Sequence, residues 1–338
     1  MKVEERIAVL VELAQAWRDP DYAPRAEAVE AMLEEEARFT EEGLAFALNH
    51  RMHQLSGEPV HIWLKDDDDV EPRTVGITPA TLDPLGGLTA AAAALVYGHS
   101  VILEAPTPLV AAFIDELADA LDGAVHTASR AALLDASDAW IVAYRAEEAT
   151  NVETDLESTT LPDSNIEAVE IGESAVVLDG SEDHEVLSAL AEDLLLHEGL
   201  APGTPRIVWV PTGTAPEALL NALAGFRELY PAHPDTEGTL ALPTAFLVAS
   251  EQPHATGPGF LVSLGEPEAQ TPAHIRWAEY ADLGEVERWA LAQQGTLSRL
   301  IASQGLRDRI NSSVATAAPG DAHRPDLDRK VPAFLRSL

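Results

Sequence analysis

The residues that could do chemistry are few, and the most promising stretch is HEGLAPGTPRIVWVP at positions 197–211. Its pattern predicts a helix that runs into a loop, and a strand over 206–210 that leaves it. Enzymes often place a nucleophile at such a junction, but the only hydroxyl in this loop is that of Thr204. An alcohol needs a base to activate it, and none is apparent beside Thr204 in the sequence.

The absence of cysteine limits the chemistry further. None of the 338 residues is a cysteine, which excludes disulfides, thiolate metal sites and a thiol nucleophile. The G-x-S-x-G elbow, the P-loop and the H-E-x-x-H metal motif are absent as well. Residue chemistry alone therefore indicates an α/β protein in which no catalytic machinery can be recognised.

Three histidines could be metal ligands or structural groups. His50 and His53 could face one metal from a helix, but no third ligand is identifiable near them, so we expect no metal site. His99 follows Gly98 just before a predicted strand. We expect Gly98 to end a helix and the imidazole of His99 to satisfy a backbone carbonyl there.

Two features suggest a nucleotide at the edge of a predicted parallel sheet. The turn PATLDPLGGL at 79–88 could approach a phosphate, but it does not match G-x-G-x-x-G. The pair Gly86–Gly87 is therefore expected to ease the packing of a helix on a strand. Glu104 ends another strand, where its carboxylate could bind ribose hydroxyls or could be a surface acid; the sequence leaves both open.

The charge of the chain excludes several classes of partner. Fifty-seven acidic residues against 21 basic ones give a formal net charge of −36, which repels nucleic acid and anionic membranes. We interpret the acid excess as adaptation to high cytoplasmic salt, which screens this repulsion. No apolar run approaches the roughly 18 uncharged residues of a membrane span, and the N-terminus lacks the features of a signal peptide. We expect a cytoplasmic protein.

The hydrophobic pattern divides the chain into helical and mixed regions. Residues 1–55 are predicted to form helices, the third of them capped by Thr40. From Thr74 strands and helices alternate as in a doubly wound parallel sheet, with strands at 75–78, 100–105, 123–128 and 139–144. A second α/β region follows, with a helix at 184–197 and strands at 175–178, 206–210, 241–250 (ALPTAFLVAS) and 259–264.

The string VGITPATLDPLGGLTAAAAALVYGHSVILEAPTP at 75–108 resembles a segment of the aldehyde dehydrogenase superfamily. More narrowly, the whole chain resembles the short acyl-CoA reductases related to the fatty-acid reductase of bacterial luminescence operons. This likeness includes IGESAVVLDGSEDHEVLSALAEDLLLHEGL at 171–200 and the closing RPDLDRKVPAFLRSL. It implies an aldehyde-dehydrogenase-like α/β fold: a helical N-terminal region and parallel-sheet cofactor domain over 1–172, a catalytic-type α/β domain over 173–310, and a tail over 311–338 that returns to the first domain.

The resemblance also implies which functional groups are missing. Such reductases use NAD(P)H to reduce a fatty acyl-CoA to an aldehyde through a thioester on a cysteine. That cysteine corresponds to Pro202, and the asparagine that donates to the thioester oxyanion corresponds to Leu82, which has no donor. A cofactor-contacting lysine corresponds to Glu104, which reverses the charge beside the adenosine ribose and disfavours a 2′-phosphate.

The cofactor, NAD or NADP, is implied by the resemblance alone. The implied cofactor-binding positions are Thr78, Pro79, Gly98, Glu104 and Pro106. The later turn AYRAEEAT at 143–150 lacks glycine where the relatives are glycine-rich. We therefore regard binding of a dinucleotide by this chain as doubtful.

Three functional hypotheses follow. The first is an acyl-CoA reductase homologue without catalysis, retained to bind fatty acyl-CoA or an active paralogue, and by analogy a homodimer. The second is an active NAD-linked oxidoreductase that uses Thr204 or other non-cysteine groups, the nearest being His99, Glu104, His197 and Glu198. The third is a structural protein–protein interaction module.

Overall fold

The computed structural model describes residues 2–35, 38–56, 70–105, 107–323 and 330–338. The chain forms two compact units. The first unit comprises Met1–Ala37, Leu44–Glu170 and Asp326–Leu338, and the second comprises Arg38–Gly43 and Ile171–Pro325. Within the described residues, no helix is both long enough and apolar enough to cross a lipid bilayer.

The chain begins with three helices, α1 (Val3–Ala16), α2 (Ala23–Glu35) and α3 (Glu41–Ser56). Apolar residues at helical spacing give α1 its buried face, formed by Ile7, Leu10 and Ala14. Thr40 caps α3 as predicted, because its Oγ1 accepts the N–H of Gly43 at 3.1 Å.

The first unit contains a parallel sheet with the strand order β3-β2-β1-β4-β5 among the described residues. Its strands are β1 (Thr74–Thr78), β2 (Ser100–Leu103), β3 (Val125–Thr127), β4 (Ala139–Tyr144) and β5 (Ile166–Glu170). The helices between them are α4 (Leu88–Val96), α5 (Pro108–Ala120), α6 (Arg130–Ala136) and α7 (Ala149–Ser158). Strands of such a sheet are covered on both faces, and Val75, Val101 and Trp140 are accordingly fully buried. The predicted α/β fold with a parallel first sheet is confirmed.

The second unit contains a mixed sheet with the strand order β12-β11-β6-β7-β10-β9-β8. Its strands are β6 (Glu173–Val177), β7 (Pro205–Pro211), β8 (His254–Gly257), β9 (Phe260–Leu264), β10 (His274–Tyr280), β11 (Leu297–Ile301) and β12 (Ala315–Ala317). Only β8 runs antiparallel to its neighbour among the described pairs. The helices are α8 (His184–Leu195), α9 (Glu217–Leu229), α10 (Pro234–Ala249), α11 (Leu283–Ala292) and α12 (Gln304–Arg307).

Two apolar clusters cover the two faces of this second sheet. On one face α8 and α9 bury Leu194 and Leu223 against Val208. On the other, Val286 and Leu306 pack on residues such as Trp209. Since alternate residues of a strand point to opposite faces, the apolar run IVWV in β7 supplies both clusters.

The segment 241–250 was predicted to be a strand, and this prediction is wrong because it belongs to helix α10. Its Thr, Phe and Val favoured a strand locally. The residues that are buried, however, are Thr236, Leu240 and Leu247, which lie one and two helical turns apart. Pro243 removes one N–H donor inside the helix, opposite the carbonyl of the exposed Thr239.

The C-terminal tail is divided between the two units. Strand β12 pairs with β11 in the second unit, and a last helix, α13 (Lys330–Ser337), packs against α4 in the first. The carbonyl of Leu335 accepts a hydrogen bond from Nε2 of His99 at 3.1 Å, while Nδ1 accepts the N–H of Arg73. Burial lowers the pKa of His99. His99 satisfies a backbone carbonyl as expected, but that carbonyl belongs to Leu335 of α13 and not to the end of α4.

Gly172, between β5 and β6, predicts a matched pair of stability effects. A Cβ there would lie 2.3 Å from the carbonyl oxygen of Thr296, so Gly172→Ala should lower the free energy of unfolding by about 1–3 kcal/mol. Gly225 lies in α9 with no heavy atom within 4 Å of a Cβ, and Gly225→Ala should raise it by about 0.5–1 kcal/mol. Urea unfolding of both variants checks this; similar changes in the two would contradict it.

Candidate functional site

The carboxyl edge of the first sheet is where an open parallel sheet would bind a nucleotide. Thr78 and Pro79 lie there, at the end of β1. The hydroxyl oxygen of Thr78 is buried and accepts the indole N–H of Trp140 at 3.1 Å. Gly98 has φ +87° and precedes β2, so it lies at the opposite edge of the sheet, where it ends α4 as expected. Pro106 lies outside the described residues.

Glu104 lies at the same carboxyl edge, directly after β2. Its carboxylate accepts the Nε–H of Arg130 at 2.9 Å, and Arg130 also donates to Asp155 at 3.2 Å. The side chain of Glu104 remains 29% exposed. The carboxylate is therefore neutralised by a neighbour but still accessible to a hydroxyl donor such as a ribose.

The two glycines of the turn after β1 serve packing. Gly87 has φ +84°, and a Cβ on it would lie 2.7 Å from Cδ1 of Leu103. A Cβ on Gly86 would lie 2.9 Å from that of Pro79. Gly87, at the start of α4, thus allows close packing on β2, as the sequence predicted, whereas Gly86 packs against Pro79 within the turn.

Glu148 bridges the loops that follow β1 and β4. Its Oε1 accepts the N–H of Thr81 at 3.2 Å, and its Oε2 accepts the N–H of Arg145 at 2.7 Å. Strands β1 and β4 are neighbours, and the chain progresses in opposite directions on either side of this pair. This switch point is where backbone N–H groups would face a nucleotide phosphate.

The edge therefore fits a dinucleotide only in part. Glu104 has the chemistry to bind ribose hydroxyls. A diphosphate at the switch point would instead meet the negative carboxylate of Glu148, which already takes two N–H donors. The first-turn residues of α4, Leu88 to Ala90, are buried. With Glu148 in place the residues do not fit the diphosphate.

In the second unit, the loop before β7 begins with an unusual turn. Helix α8 ends at Leu195, two residues before the predicted end, and His197, Glu198 and Gly199 follow with φ of +54°, +57° and +69°. A non-glycine residue in this left-handed region costs roughly 1–2 kcal/mol. A Cβ on Gly199 would lie 2.7 Å from the N of Ala273, so glycine is required there.

A buried ion pair holds this turn. Arg227 on α9 donates from Nη1 to Oε1 of Glu198 at 3.0 Å and from Nη2 to Oε2 at 3.1 Å. The hydroxyl of Thr236 on α10 donates to Oε2 at 2.6 Å. Burial lowers the pKa of Arg227. Both carboxylate oxygens of Glu198 thus accept hydrogen bonds from Arg227, in the bidentate geometry that makes such pairs strong. Glu198 therefore has a structural role.

Two further groups support the loop. The ring of His197 meets those of Phe39 and His323 edge to face, with centroids 5.6 Å and 5.8 Å apart. Asp193 on α8 is fully buried, accepts the N–H groups of Gly320 and Ala322 at 2.7 Å and 2.9 Å, and has its pKa raised by burial to about 7. The segment held by Asp193 adjoins the loop, because a Cβ on Gly203 would lie 3.1 Å from the carbonyl oxygen of Ala322.

The loop itself presents no activated nucleophile among its residues. Pro202 is half-buried in the turn, at the position that the resemblance assigns to a cysteine. Thr204 is only 5% exposed, and its hydroxyl donates to the carbonyl of Ala201 at 2.8 Å. The hydroxyl proton of Thr204 is therefore directed at the protein's own backbone, away from any base that could remove it.

A cavity of about 300 Å³ lies beside this turn, lined by Arg38, Glu198, Leu200, His233, Asp235, Thr236, Thr239 and Pro272. Its buried carboxylate, Glu198, is already hydrogen-bonded to Arg227 and Thr236. In the part of the chain that the structure describes, no three His, Asp or Glu side chains are placed to hold a metal ion.

Comparison with known proteins decides the fold. No protein-family model matches the sequence, and a search of curated proteins finds no match. An NAD-dependent benzaldehyde dehydrogenase from Corynebacterium glutamicum matches with a TM-score of 0.64 at 14% identity, over 96% of this chain and 84% of that one. A succinic semialdehyde dehydrogenase from Streptococcus pyogenes, solved with NADP+, matches with a TM-score of 0.65 at 11% identity, over 94% and 81%. This chain has an aldehyde-dehydrogenase-like fold.

The predicted fold class is thereby confirmed, and the superfamily to which the sequence pointed is that of the structural neighbours. A third neighbour, the indole-3-acetaldehyde dehydrogenase of P. syringae in complex with NAD+, matches with a TM-score of 0.62 at 12% identity, over 94% of this chain and 77% of that one. At identities this low the likeness establishes the fold.

Sequence reasoning missed Glu148, Asp193 and Arg227. Glu148 could have been found, because a Glu three residues after a turn-starting residue often accepts that residue's N–H. Asp193 was harder to find, because its only indication in the sequence is that an acid lies on the apolar side of a helix. The partner of Arg227 lies 29 residues away in the chain, so only the fold reveals it.

Breaking the Glu198–Arg227 pair should destabilise the protein strongly. Glu198→Gln leaves a buried guanidinium without its counter-charge and should lower the free energy of unfolding by about 3–5 kcal/mol. Glu228→Gln, an exposed neighbour on the same helix as Arg227, should stay within about 0.5 kcal/mol of wild type. Chemical unfolding at molar salt measures both, and an equal loss in the two variants would show that the pair has no special role.

Proposed function

We propose that this chain is an acyl-CoA-reductase-like protein that has lost thioester catalysis and is retained for binding or regulation. The observation that carries the proposal is the loop between α8 and β7. It has the supports expected of a loop that holds a nucleophile, yet it presents Pro202 there, in a chain without cysteine.

The strained conformation of this loop supports the proposal that the loop has been retained for a function. Two non-glycine residues, His197 and Glu198, are held in left-handed conformations at some cost in free energy; a buried ion pair holds Glu198, and the rings of Phe39 and His323 pack against that of His197. Strain of this kind persists only where surrounding contacts enforce it, and it is concentrated at functional sites. A loop with no remaining role would have no need of this arrangement.

The ligand that we propose is a fatty acyl-CoA, with an active paralogue as the alternative partner. The dehydrogenases of similar fold include structures solved with NAD+ and NADP+, so a nicotinamide cofactor is the ligand to test beside it. In this chain Glu148 opposes the diphosphate. Beside Glu104, two carboxylates (Glu104 and Asp155) share the single guanidinium of Arg130, so the net charge there still opposes a 2′-phosphate. We therefore propose that any remaining cofactor binding is weak and favours NADH over NADPH.

Titration with palmitoyl-CoA, NADH and NADPH at molar salt tests the proposal, with thermal unfolding, nicotinamide fluorescence and cofactor oxidation followed together. Palmitoyl-CoA should raise the melting temperature without any oxidation of NADH. NADH should bind weakly, and Glu148→Gln should strengthen its binding by removing the opposing charge. Steady oxidation of NADH would overturn the proposal in favour of non-cysteine catalysis, and no response to any ligand would favour a protein–protein role.

A thiol introduced at position 202 tests whether the loop still binds an acyl-CoA. Pro202→Cys should accept the palmitoyl group: Sγ bonds to the acyl carbonyl carbon, and coenzyme A leaves as its thiol with the proton from the cysteine. Because the chain has no cysteine of its own, Leu291→Cys, at a 61% exposed position on α11, is a clean control. Mass spectrometry follows acylation, and equal rates in the two variants would argue against a retained acyl-CoA site.

A further inference from the structure

The second unit has a cleft of about 500 Å³ at the carboxyl edge of its sheet, outside the ends of β6, β7 and β10. Pro211 and Tyr280, which end β7 and β10, form part of its wall together with Leu283 of α11. Open α/β sheets bind their ligands in the crevice outside the carboxyl ends of the strands, in pockets of roughly 300–1,000 Å³. The position and size of this cleft are therefore those of a binding site for a small molecule.

One side of the cleft presents a carboxylate that has no partner in the protein. Asp282 directly precedes α11, where an aspartate ordinarily accepts an N–H of the first helical turn. Its side chain makes no such bond, and among the described residues it has no hydrogen-bond or ion-pair partner. The guanidinium of Arg288 lies near Asp282 but does not line the cleft. The carboxylate of Asp282 is therefore available to a ligand.

A guanidinium lies on the same cleft. The side chain of Arg309 is 59% exposed, and its contact with the protein is from Nη1 to Oδ2 of Asp179 at 3.5 Å. This is longer than the roughly 2.7–2.9 Å of a strong charged hydrogen bond. Oδ1 of Asp179 accepts the N–H and the hydroxyl of Ser181 at 3.1 Å and 2.6 Å. Most N–H donors of Arg309 therefore remain available in the part of the chain that the structure describes.

The charges of the cleft select the class of ligand. An anion would meet the carboxylates of Asp179 and Asp282 in a chain of net charge −36, whereas a simple cation would face Arg309. The described residues include no set of three His, Asp or Glu side chains placed to hold a metal ion. A molecule that carries both charges avoids these conflicts, since its carboxylate can take two N–H groups of the guanidinium and its ammonium can donate to a carboxylate.

We propose that this cleft binds a small zwitterion, a free α-amino acid, whose carboxylate pairs with Arg309 and whose ammonium pairs with Asp282. The ring of Tyr280 is a fixed wall for the ligand's side chain, because its hydroxyl donates to the carbonyl of Leu178 at 2.7 Å. The inference does not depend on the proposed acyl-CoA site, since the loop before β7 lies at the opposite edge of this sheet.

Thermal unfolding of the full chain with each of the standard α-amino acids tests the proposal. Calorimetric titration with the amino acid that raises the Tm most gives its dissociation constant. The N-acetyl derivative of that amino acid lacks the ammonium, and its α-amide lacks the carboxylate. Each derivative should bind more weakly by about tenfold or more, because it loses a charged hydrogen-bonded contact. No stabilisation by any amino acid, or equal binding of the three compounds, overturns the proposal.

Substitution of the two charged residues assigns the two ends of the ligand. Asp282→Asn and Arg309→Gln should each raise the dissociation constant of the amino acid by about tenfold or more. In Arg309→Gln the amino acid and its amide should bind alike, and in Asp282→Asn the amino acid and its N-acetyl derivative should bind alike. If each variant still discriminates against that derivative as wild type does, the assignment is overturned.

Control variants separate these contacts from a general effect of net charge. Asp119→Asn and Arg18→Gln make the same changes of charge at exposed positions in the first unit. Both should leave the dissociation constant of the amino acid unchanged, and circular dichroism confirms that all four variants are folded. Equal losses of affinity in the controls and in the cleft variants would overturn the proposal.

Discussion

The buried ion pair between Glu198 and Arg227 is the interaction on which the candidate site depends. It ties the turn after α8 to the last turn of α9, and Thr236 adds a contact from α10. The turn needs this support because His197 and Glu198 both adopt left-handed backbone conformations, each costing roughly 1–2 kcal/mol. A pair of buried charges stabilises a fold only when both partners are present and hydrogen-bonded, so the turn and the pair are interdependent.

The glutamates at the edge of the first sheet and in the loop before β7 share one property: each accepts hydrogen bonds from other groups of the protein. Glu198 accepts from Arg227 and Thr236, and Glu148 accepts backbone N–H groups from two loops. Catalytic carboxylates, by contrast, need a lone pair or proton directed at the substrate. In this chain the geometry around these acids supports shape rather than proton transfer, which agrees with the position of Pro202 in the loop.

The sequence predicted most of the fold because strands buried on both faces form unmistakable apolar runs. VGIT and AWIVAY are examples, and both are parallel strands. It failed at 241–250, where β-branched and aromatic residues on an exposed helix imitated a strand. Residue types alone could not distinguish these cases, since what makes α10 unusual is that its apolar residues face solvent.

Short sequence patterns revealed part of the candidate site, and contacts between residues far apart in the chain account for the rest. The loop, the missing thiol and the structural role of His99 could be inferred from residue types and short spacings. The left-handed turn could not, because positive φ is uncommon for any residue other than glycine, and the contacts that enforce it come from residues far along the chain. The resemblance therefore pointed to Pro202 as the position of the relatives' cysteine, but the contacts that hold the turn before it became visible only in the fold.

The absent thiol and the carboxylate at the switch point are chemically linked, although they lie in different units. In thioester reduction the hydride is useful only once an acyl group is attached to the nucleophile. Without that nucleophile, a diphosphate cradle has no catalytic task, and a glutamate that satisfies its N–H groups stabilises the unliganded fold instead. In an active enzyme, a glutamate in the position of Glu148 would weaken the binding of the cofactor. The two features together support the proposal that this fold persists here without thioester catalysis.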